Sequence, residues 1–383
     1  MTEVSHGLIA PGFERVGDRF DEFLAEDPTF SAQLAARWRG ELIVDLAGGP
    51  DLDAEAVTGV FSVTKGISAV VLATLVADGR LNLDAPVIEY WPEFAAGGKQ
   101  HLLVRELLSH QSGLVNVDDV LTAEEFIDSS LAAARLAASV PVWRPGASFG
   151  YHGLTIGVFI EELIRRITGE TLQAIYEREV RAPRNIDFYL GLPERESGRF
   201  RPVKPVVPTA AQLTEIAAMV PAVDGVMAFA FDSLHVGGMA VDEILPNDPR
   251  GAAAGFASVG GVGSARGMAD VYAAAIGQLG DPILTDEAIT LMSQEQVFGI
   301  DRVLNAQMAF GVVFMKPQPR LPFASYRAFG HDGAGGALGF ADPLYDLSFG
   351  YIPMPMQYPG GADTKSLELS LLIRQCISGL VRP

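Results

Sequence analysis

Ser62-Val63-Thr64-Lys65, set within Gly59-Val60-Phe61-Ser62-Val63-Thr64-Lys65-Gly66, is the stretch whose chemistry organises the rest of this chain. Beyond Ser62 the residues Val63, Ile67, Val70, Val71, Thr74 and Leu75 recur at helical spacing, and Gly79 supplies a stop. Residues 62–77 therefore predict a largely buried helix that Ser62 opens. Side chains three residues apart share a helix face, so the Ser62 hydroxyl and the Lys65 amine can touch. A serine hydroxyl is a weak nucleophile until a base takes its proton. Lysine serves as that base only where desolvation or nearby positive charge lowers its pKa. The predicted buried helix offers such a setting, although a lone S-x-x-K is more often a capping serine beside a surface lysine.

Composition narrows the classes to which the chain can belong. At 383 residues, with 49% hydrophobic and 20% charged residues, it can bury a large core and carry a second subdomain within one catalytic unit. The formal charge of −19, from 28 Lys+Arg against 47 Asp+Glu, would repel phosphate backbones and anionic lipid alike, so neither nucleic acid nor membrane is expected as a partner. Cys376 is the single cysteine, among Leu371, Leu372, Ile373 and Ile377, and is read as a small buried hydrophobe. No basic segment followed by an apolar core opens residues 1–14, and the longest apolar run, residues 67–77, is short of the roughly 20 residues that span a bilayer. A cytoplasmic location is expected by default.

Outward from Ser62, residues 30–49 read as two strands around Arg39-Gly40. Helical patterns cover 123–138 and 154–168, the latter ended by Gly169; a further helix covers 265–276 and a last one 364–380. Residues 326–330 and 347–352 read as strands. Residues 192–208 hold four prolines and mixed charge, an exposed connection, whereas 209–231 is apolar although Pro221 and Gly225 break it, a candidate pocket lid. No fixed-period repeat is present.

What turns the tetrapeptide into a signal is order. Ser62-Val63-Thr64-Lys65 is followed by Tyr151-His152-Gly153 and then by His331-Asp332-Gly333-Ala334-Gly335-Gly336, matching the succession of motifs in penicillin-recognising serine enzymes. With Asp78-Gly79-Arg80-Leu81-Asn82-Leu83-Asp84 and Leu107-Leu108-Ser109-His110-Gln111-Ser112-Gly113-Leu114, the chain resembles the family VIII carboxylesterases, the esterases built on the class C β-lactamase fold. The resemblance runs from about residue 30 to residue 355. It implies an α+β, β-lactamase/transpeptidase-like fold: an antiparallel sheet flanked by helices, formed from residues of about 1–80 and 256–383, enclosing a helical subdomain of about 81–255. The site would lie between them. By position Ser62 is the implied nucleophile, Lys65 its partner and Tyr151 the phenol that moves protons. A free phenol titrates near roughly 10, so Tyr151 would need a cation such as Lys65 to hold its phenolate. The backbone N–H groups of Ser62 and Ala334 form the implied oxyanion hole. His331, Asp332, Gly333, Gly335, His152 and Gln111 are the implied substrate contacts.

Two departures from the β-lactamase pattern matter. Gly153 stands where those enzymes carry Asn, and His331 replaces the Lys of K-T-G, a lysine that recognises a substrate carboxylate. A histidine titrating near roughly 6.5 is mostly neutral at physiological pH, so a neutral substrate is expected. A competing pattern, Gly146-Ala147-Ser148-Phe149-Gly150, matches the G-x-S-x-G nucleophile elbow, for which Asp232 with His235, or Asp224 with His331, would complete a triad. Trp143-Arg144-Pro145 is a poor strand to precede an elbow. No histidine pair has metal-ligand spacing, and Gly260-Gly261-Val262-Gly263 lacks the strand of a nucleotide-binding loop. The expectation is an esterase of small neutral, short-acyl carboxylic esters working through a Ser62 acyl-enzyme without cofactor or metal. A β-lactamase, D-Ala-D-Ala peptidase or amidase on the same scaffold, and a silent binding protein, are the alternatives.

Overall fold

The computed structural model describes residues 5–117, 121–218, 225–232, 235–236, 239–240 and 247–381. Its centre is a six-stranded sheet in the order Ser5–Ile9, Glu41–Gly48, Ser31–Trp38, Leu347–Met354, Leu338–Asp342, Phe329–Asp332, every neighbouring pair antiparallel. Ser31–Trp38 and Glu41–Gly48 form the expected hairpin, and Arg39 and Gly40 both take positive φ, 53° and 84°, the twist that suits a two-residue hairpin turn. The hairpin lies inside the sheet because Ser31–Trp38 also pairs with Leu347–Met354, Leu34 opposite Tyr351. The two ends of the chain thus share one sheet.

Each face is covered, which explains why Leu347–Met354 is buried along its whole length and reads as an unbroken run rather than an alternation. On one face helix Ala265–Ala275 approaches so closely that a Cβ on Gly350 would stand 2.1 Å from the Ala265 carbonyl oxygen. On the other, Phe20 and Phe23 of helix Glu14–Glu26 join Leu369 and Ile373 of helix Thr364–Val381 above Phe340 and Phe349. Cys376 is buried and unpaired there.

Helix Val63–Ala77 is buried continuously from Val63 to Leu75, with strand Phe329–Asp332 and helices Thr155–Thr168 and Ala265–Ala275 packed around it. A polar helix could not sit in that position. Leu72, Val70 and Ile67 are each 0% exposed, so trimming Leu72 to Ala should cost about 2–5 kcal/mol. Thr64 ties the helix start to a small three-stranded sheet, Thr58–Gly59, Gly261–Gly263 and Phe188–Leu190, by accepting the Gly261 N–H at 2.9 Å. Within the glycine-rich stretch, Gly261–Gly263 is therefore a strand that lets helix Val63–Ala77 come close.

Some elements differ from expectation. The helix predicted over 123–138 is two, Ala123–Ile127 and Ser129–Ala138, because the Asp128 carboxylate accepts the Ser130 N–H and starts a second helix. Tyr326 to Ala328 form a turn, and the strand begins at Phe329, so His331 and Asp332 are themselves strand residues. The predicted connection over 192–208 contains the short helix Glu194–Arg199, and Phe200 bridges to Val57. The candidate lid over 209–231 holds helices Ala210–Ala218 and Val226–Asp232; residues 219–224 lie outside the described residues. Among the described residues no helix is long and apolar enough to cross a membrane.

Candidate active site

Phe61 has φ of 49°, a left-handed conformation that a non-glycine residue adopts only where the surroundings impose it. The kink throws Ser62 to the very start of helix Val63–Ala77, where its Oγ caps no backbone N–H. That observation removes the capping-serine alternative. Instead Ser62 Oγ accepts from Lys65 Nζ at 2.8 Å and from Tyr151 OH at 2.8 Å. Lys65 Nζ donates also to the Ser258 carbonyl at 3.0 Å, a partner that nothing in the sequence points to. The three side chains of the first and second motifs meet at one oxygen.

Lys65 is 0% exposed, and burial holds its amine well below the ordinary lysine value, with the nearby Asp332 opposing the shift. Burial pushes the Tyr151 phenol above its ordinary value of 10.0, with the hydrogen bond to Ser62 opposing and Asp332 and Asp301 adding to the rise. Both shifts favour uncharged groups: a neutral amine and a neutral phenol. Burial thus works against the expected pairing of a cationic Lys65 with a Tyr151 phenolate, because the pocket that hides both groups penalises each charge. The pH dependence of ester hydrolysis should reflect this. With Lys65 needed unprotonated, kcat/KM should rise with pH through a pKa far below 10.5 and show no alkaline fall near pH 10 from Tyr151; an acid limb at ordinary lysine values in a pH–rate profile would contradict this.

Around this cluster opens a cavity of about 660 Å³, lined by Phe61, Leu154, Phe231, Val259, Leu304, Met308, Met315 and Leu321, with Ser62, Tyr151, Asp332, Ala334, Arg320 and Thr364 as further wall. Ala334 sits in the tight turn after strand Phe329–Asp332, where Gly336 N–H returns to the Gly333 carbonyl at 3.0 Å, rather than on the strand itself. Among the described residues neither the Ser62 N–H nor the Ala334 N–H is taken by another hydrogen bond. Two backbone donors without a partner among the described residues thus belong to residues of the cavity wall.

Of the expected substrate contacts, Asp332 alone lines the cavity among the described residues. His331 is 0% exposed and burial lowers its pKa to about 3; its Nδ1 bonds the Asp332 carbonyl at 2.7 Å, so it lies behind the cavity wall. His152 is equally buried, its ring held by Ser112 Oγ and the Gly150 carbonyl, each at 2.7 Å. Gln111 spends its side chain on Ser109 Oγ at 2.8 Å. Gly333 packs on the Val60 backbone, where a Cβ would come within 2.3 Å of the carbonyl oxygen, and Gly335 lines a separate small crevice beside Phe61 and Met356. The third motif is thus divided: His331 and Gly333 pack against the residues that open and continue into helix Val63–Ala77, Gly335 faces another crevice, and Asp332 and Ala334 lie on the cavity wall, while His152 and Gln111 are held by the hydrogen bonds just given.

Other features carry no signal in the sequence. Arg320, in the Gln318–Leu321 turn, brings a guanidinium to the cavity wall with no ion pair among the described residues. Phe231 explains the departure at Gly153, since a Cβ there would lie 2.8 Å from its ring. Ser148, the competing nucleophile, lies in a segment without regular structure, followed by no helix until Thr155, so the elbow geometry is absent. Asp224 and the side chains of Asp232 and His235 lie outside the described residues. No cluster of three or more metal-ligating side chains occurs among the described residues.

Comparison with known proteins bears on the family and the fold. Residues 16–354 match the Beta-lactamase family. The structure superposes on EstA from Arthrobacter nitroguajacolicus Rue61a with a TM-score of 0.90 at 48% identity, covering 98% of this chain and 99% of that one. A family VIII carboxylesterase gives a TM-score of 0.86 at 30% identity, covering 97% and 99%. The esterase/beta-lactamase LipL of Mycobacterium tuberculosis is 30% identical over 328 residues, 82% of this chain and 72% of LipL. With the three motifs in order, the sheet shared by both chain ends and a serine held by lysine and tyrosine, the chain belongs to the Beta-lactamase family.

Proposed function

We propose that the protein is a serine carboxylesterase of small neutral, short-acyl esters, with Ser62 as nucleophile. The observation that carries the reading is the approach of Lys65 Nζ and Tyr151 OH, each 2.8 Å from Ser62 Oγ, at the floor of an apolar cavity. Neutral Lys65 keeps one N–H on the Ser258 carbonyl and offers its lone pair to the Ser62 proton as Oγ attacks the ester carbon. The Ser62 and Ala334 N–H groups receive the carbonyl oxygen as it becomes an oxyanion, a contribution of roughly 3 kcal/mol for a single donor. Tyr151 then gives its proton to the departing alkoxide and recovers it through Lys65. Water repeats the sequence on the Ser62 ester. No metal or cofactor is called for in these steps.

The division of labour we propose sets Ser62, Lys65, Asp332 and Ala334 on the sheet-bearing subdomain, residues of about 1–80 and 256–383, and Tyr151, Leu154 and Phe231 on the helical one, 81–255. The described part of the candidate lid, helices Ala210–Ala218 and Val226–Asp232, covers the cavity through Phe231. An apolar pocket gains roughly 0.8 kcal/mol per buried CH₂ until full, so kcat/KM on p-nitrophenyl esters should climb from acetyl to about butyryl and then fall. Nitrocefin should react more slowly than these esters, since the third motif carries His331, buried behind the site, in place of a lysine, and the cation on the cavity wall among the described residues is Arg320 alone. A screen across acyl lengths with nitrocefin alongside tests this, and a parent enzyme preferring nitrocefin would overturn the esterase reading in favour of a β-lactamase.

A further inference from the structure

Tyr151 must hold its phenol on Ser62, and its own segment, residues 150–152, has no regular structure to do so. One residue reaches it from three directions. The His110 carbonyl accepts the Gly150 N–H at 3.0 Å, and its Nδ1 accepts the His152 N–H at 3.0 Å, so the residues on either side of Tyr151 hang from the same histidine. The His110 ring also packs on the Tyr151 ring, centroids 5.2 Å apart, with Phe310 closing the group at 4.5 Å from His110 and 6.0 Å from Tyr151. His110 is 0% exposed.

The backbone of His110 makes this more than packing. It follows helix Val104–Leu108 with φ of 65°, the left-handed position at a helix C-terminus where glycine carries no steric penalty. A histidine there is strained. The strain is matched by what the conformation achieves, turning carbonyl and imidazole together toward 150–152. Because Nδ1 accepts, the ring proton belongs on Nε2, and a protonated ring would lose the bond. Burial, with His152, His331 and Lys65 nearby, holds His110 well below its ordinary value and keeps Nδ1 an acceptor.

We propose that His110 is the positioning residue that fixes Tyr151 against Ser62, acting through the two bracketing hydrogen bonds and the ring contact. The inference rests on the reading that Tyr151 acts in catalysis. His110→Ala, with sites counted by fluorophosphonate titration and folding followed by thermal unfolding, should lower kcat per titrated site on p-nitrophenyl acetate by about 100-fold with KM little changed. His110→Asn keeps an acceptor and tolerates the left-handed backbone, so it should recover about tenfold of that loss; if the Ala variant does not fold, the Asn variant carries the test. In a Tyr151→Phe background either substitution should change kcat by less than about threefold, because the residue it positions has lost its hydroxyl. A parent-like kcat in His110→Ala, or losses that multiply with Tyr151→Phe, would overturn the proposal. A fully active Tyr151→Phe would instead overturn the catalytic reading beneath it.

Discussion

Ser62→Ala should lower kcat for p-nitrophenyl butyrate by roughly 10⁴-fold or more, whereas Ser148→Ala should stay within about twofold of the parent. The difference follows from where each hydroxyl stands. Ser62 Oγ has an amine and a phenol at 2.8 Å and two unused N–H donors near it, while Ser148 lies on an irregular segment with no helix directly behind it. On the proposed assignment, removing Oγ takes away the atom that forms the acyl-enzyme, and the remaining donors can merely bind ester. Because Ser62 caps nothing, its loss should leave the helix start intact, and thermal unfolding of Ser62→Ala should match the parent. A large drop in stability would mean that the serine is structural after all.

Lys65→Met and Tyr151→Phe should each lower kcat by about 10²–10⁴-fold with folding retained, and the double variant should be little worse than the poorer single one. Met keeps the volume of the buried lysine stem, so the loss reports chemistry rather than an emptied core. Both groups hydrogen-bond one oxygen, and in the proposed mechanism they pass one proton, so removing either breaks the same relay. Kinetics of both single variants and the double variant form the cycle, and losses that multiply would show two independent roles.

Much of this site is legible in the amino-acid sequence. Ser62 and Lys65 can be read because helical periodicity makes them neighbours, and Tyr151 because its place between the other two motifs carries it. The sheet hairpin around Arg39-Gly40 and the helix ending at Gly169 follow from local turn and cap chemistry, which depends on near neighbours only. The third motif is legible as a motif but not as an orientation. Whether His331 faces the cavity or the nucleophile helix depends on strand register against Leu338–Asp342, and register is a tertiary fact. Short strands such as Thr58–Gly59 and the exposed edge Ser5–Ile9 carry too few residues, or too little apolar pattern, to signal themselves. Arg320 and Ser258 reach the site from segments far away in sequence, and only folding brings them there. The pKa directions of Lys65 and Tyr151 belong with these, since the cause of each is burial.

Covalent trapping addresses the nucleophile itself. After incubation with a fluorophosphonate, intact-protein mass spectrometry should show one adduct per chain, and peptide mapping should place it on Ser62, with none formed in Ser62→Ala. An adduct on Ser148 or on any other residue, or an unlabelled protein that still hydrolyses p-nitrophenyl butyrate, would contradict the assignment of Ser62 as the nucleophile.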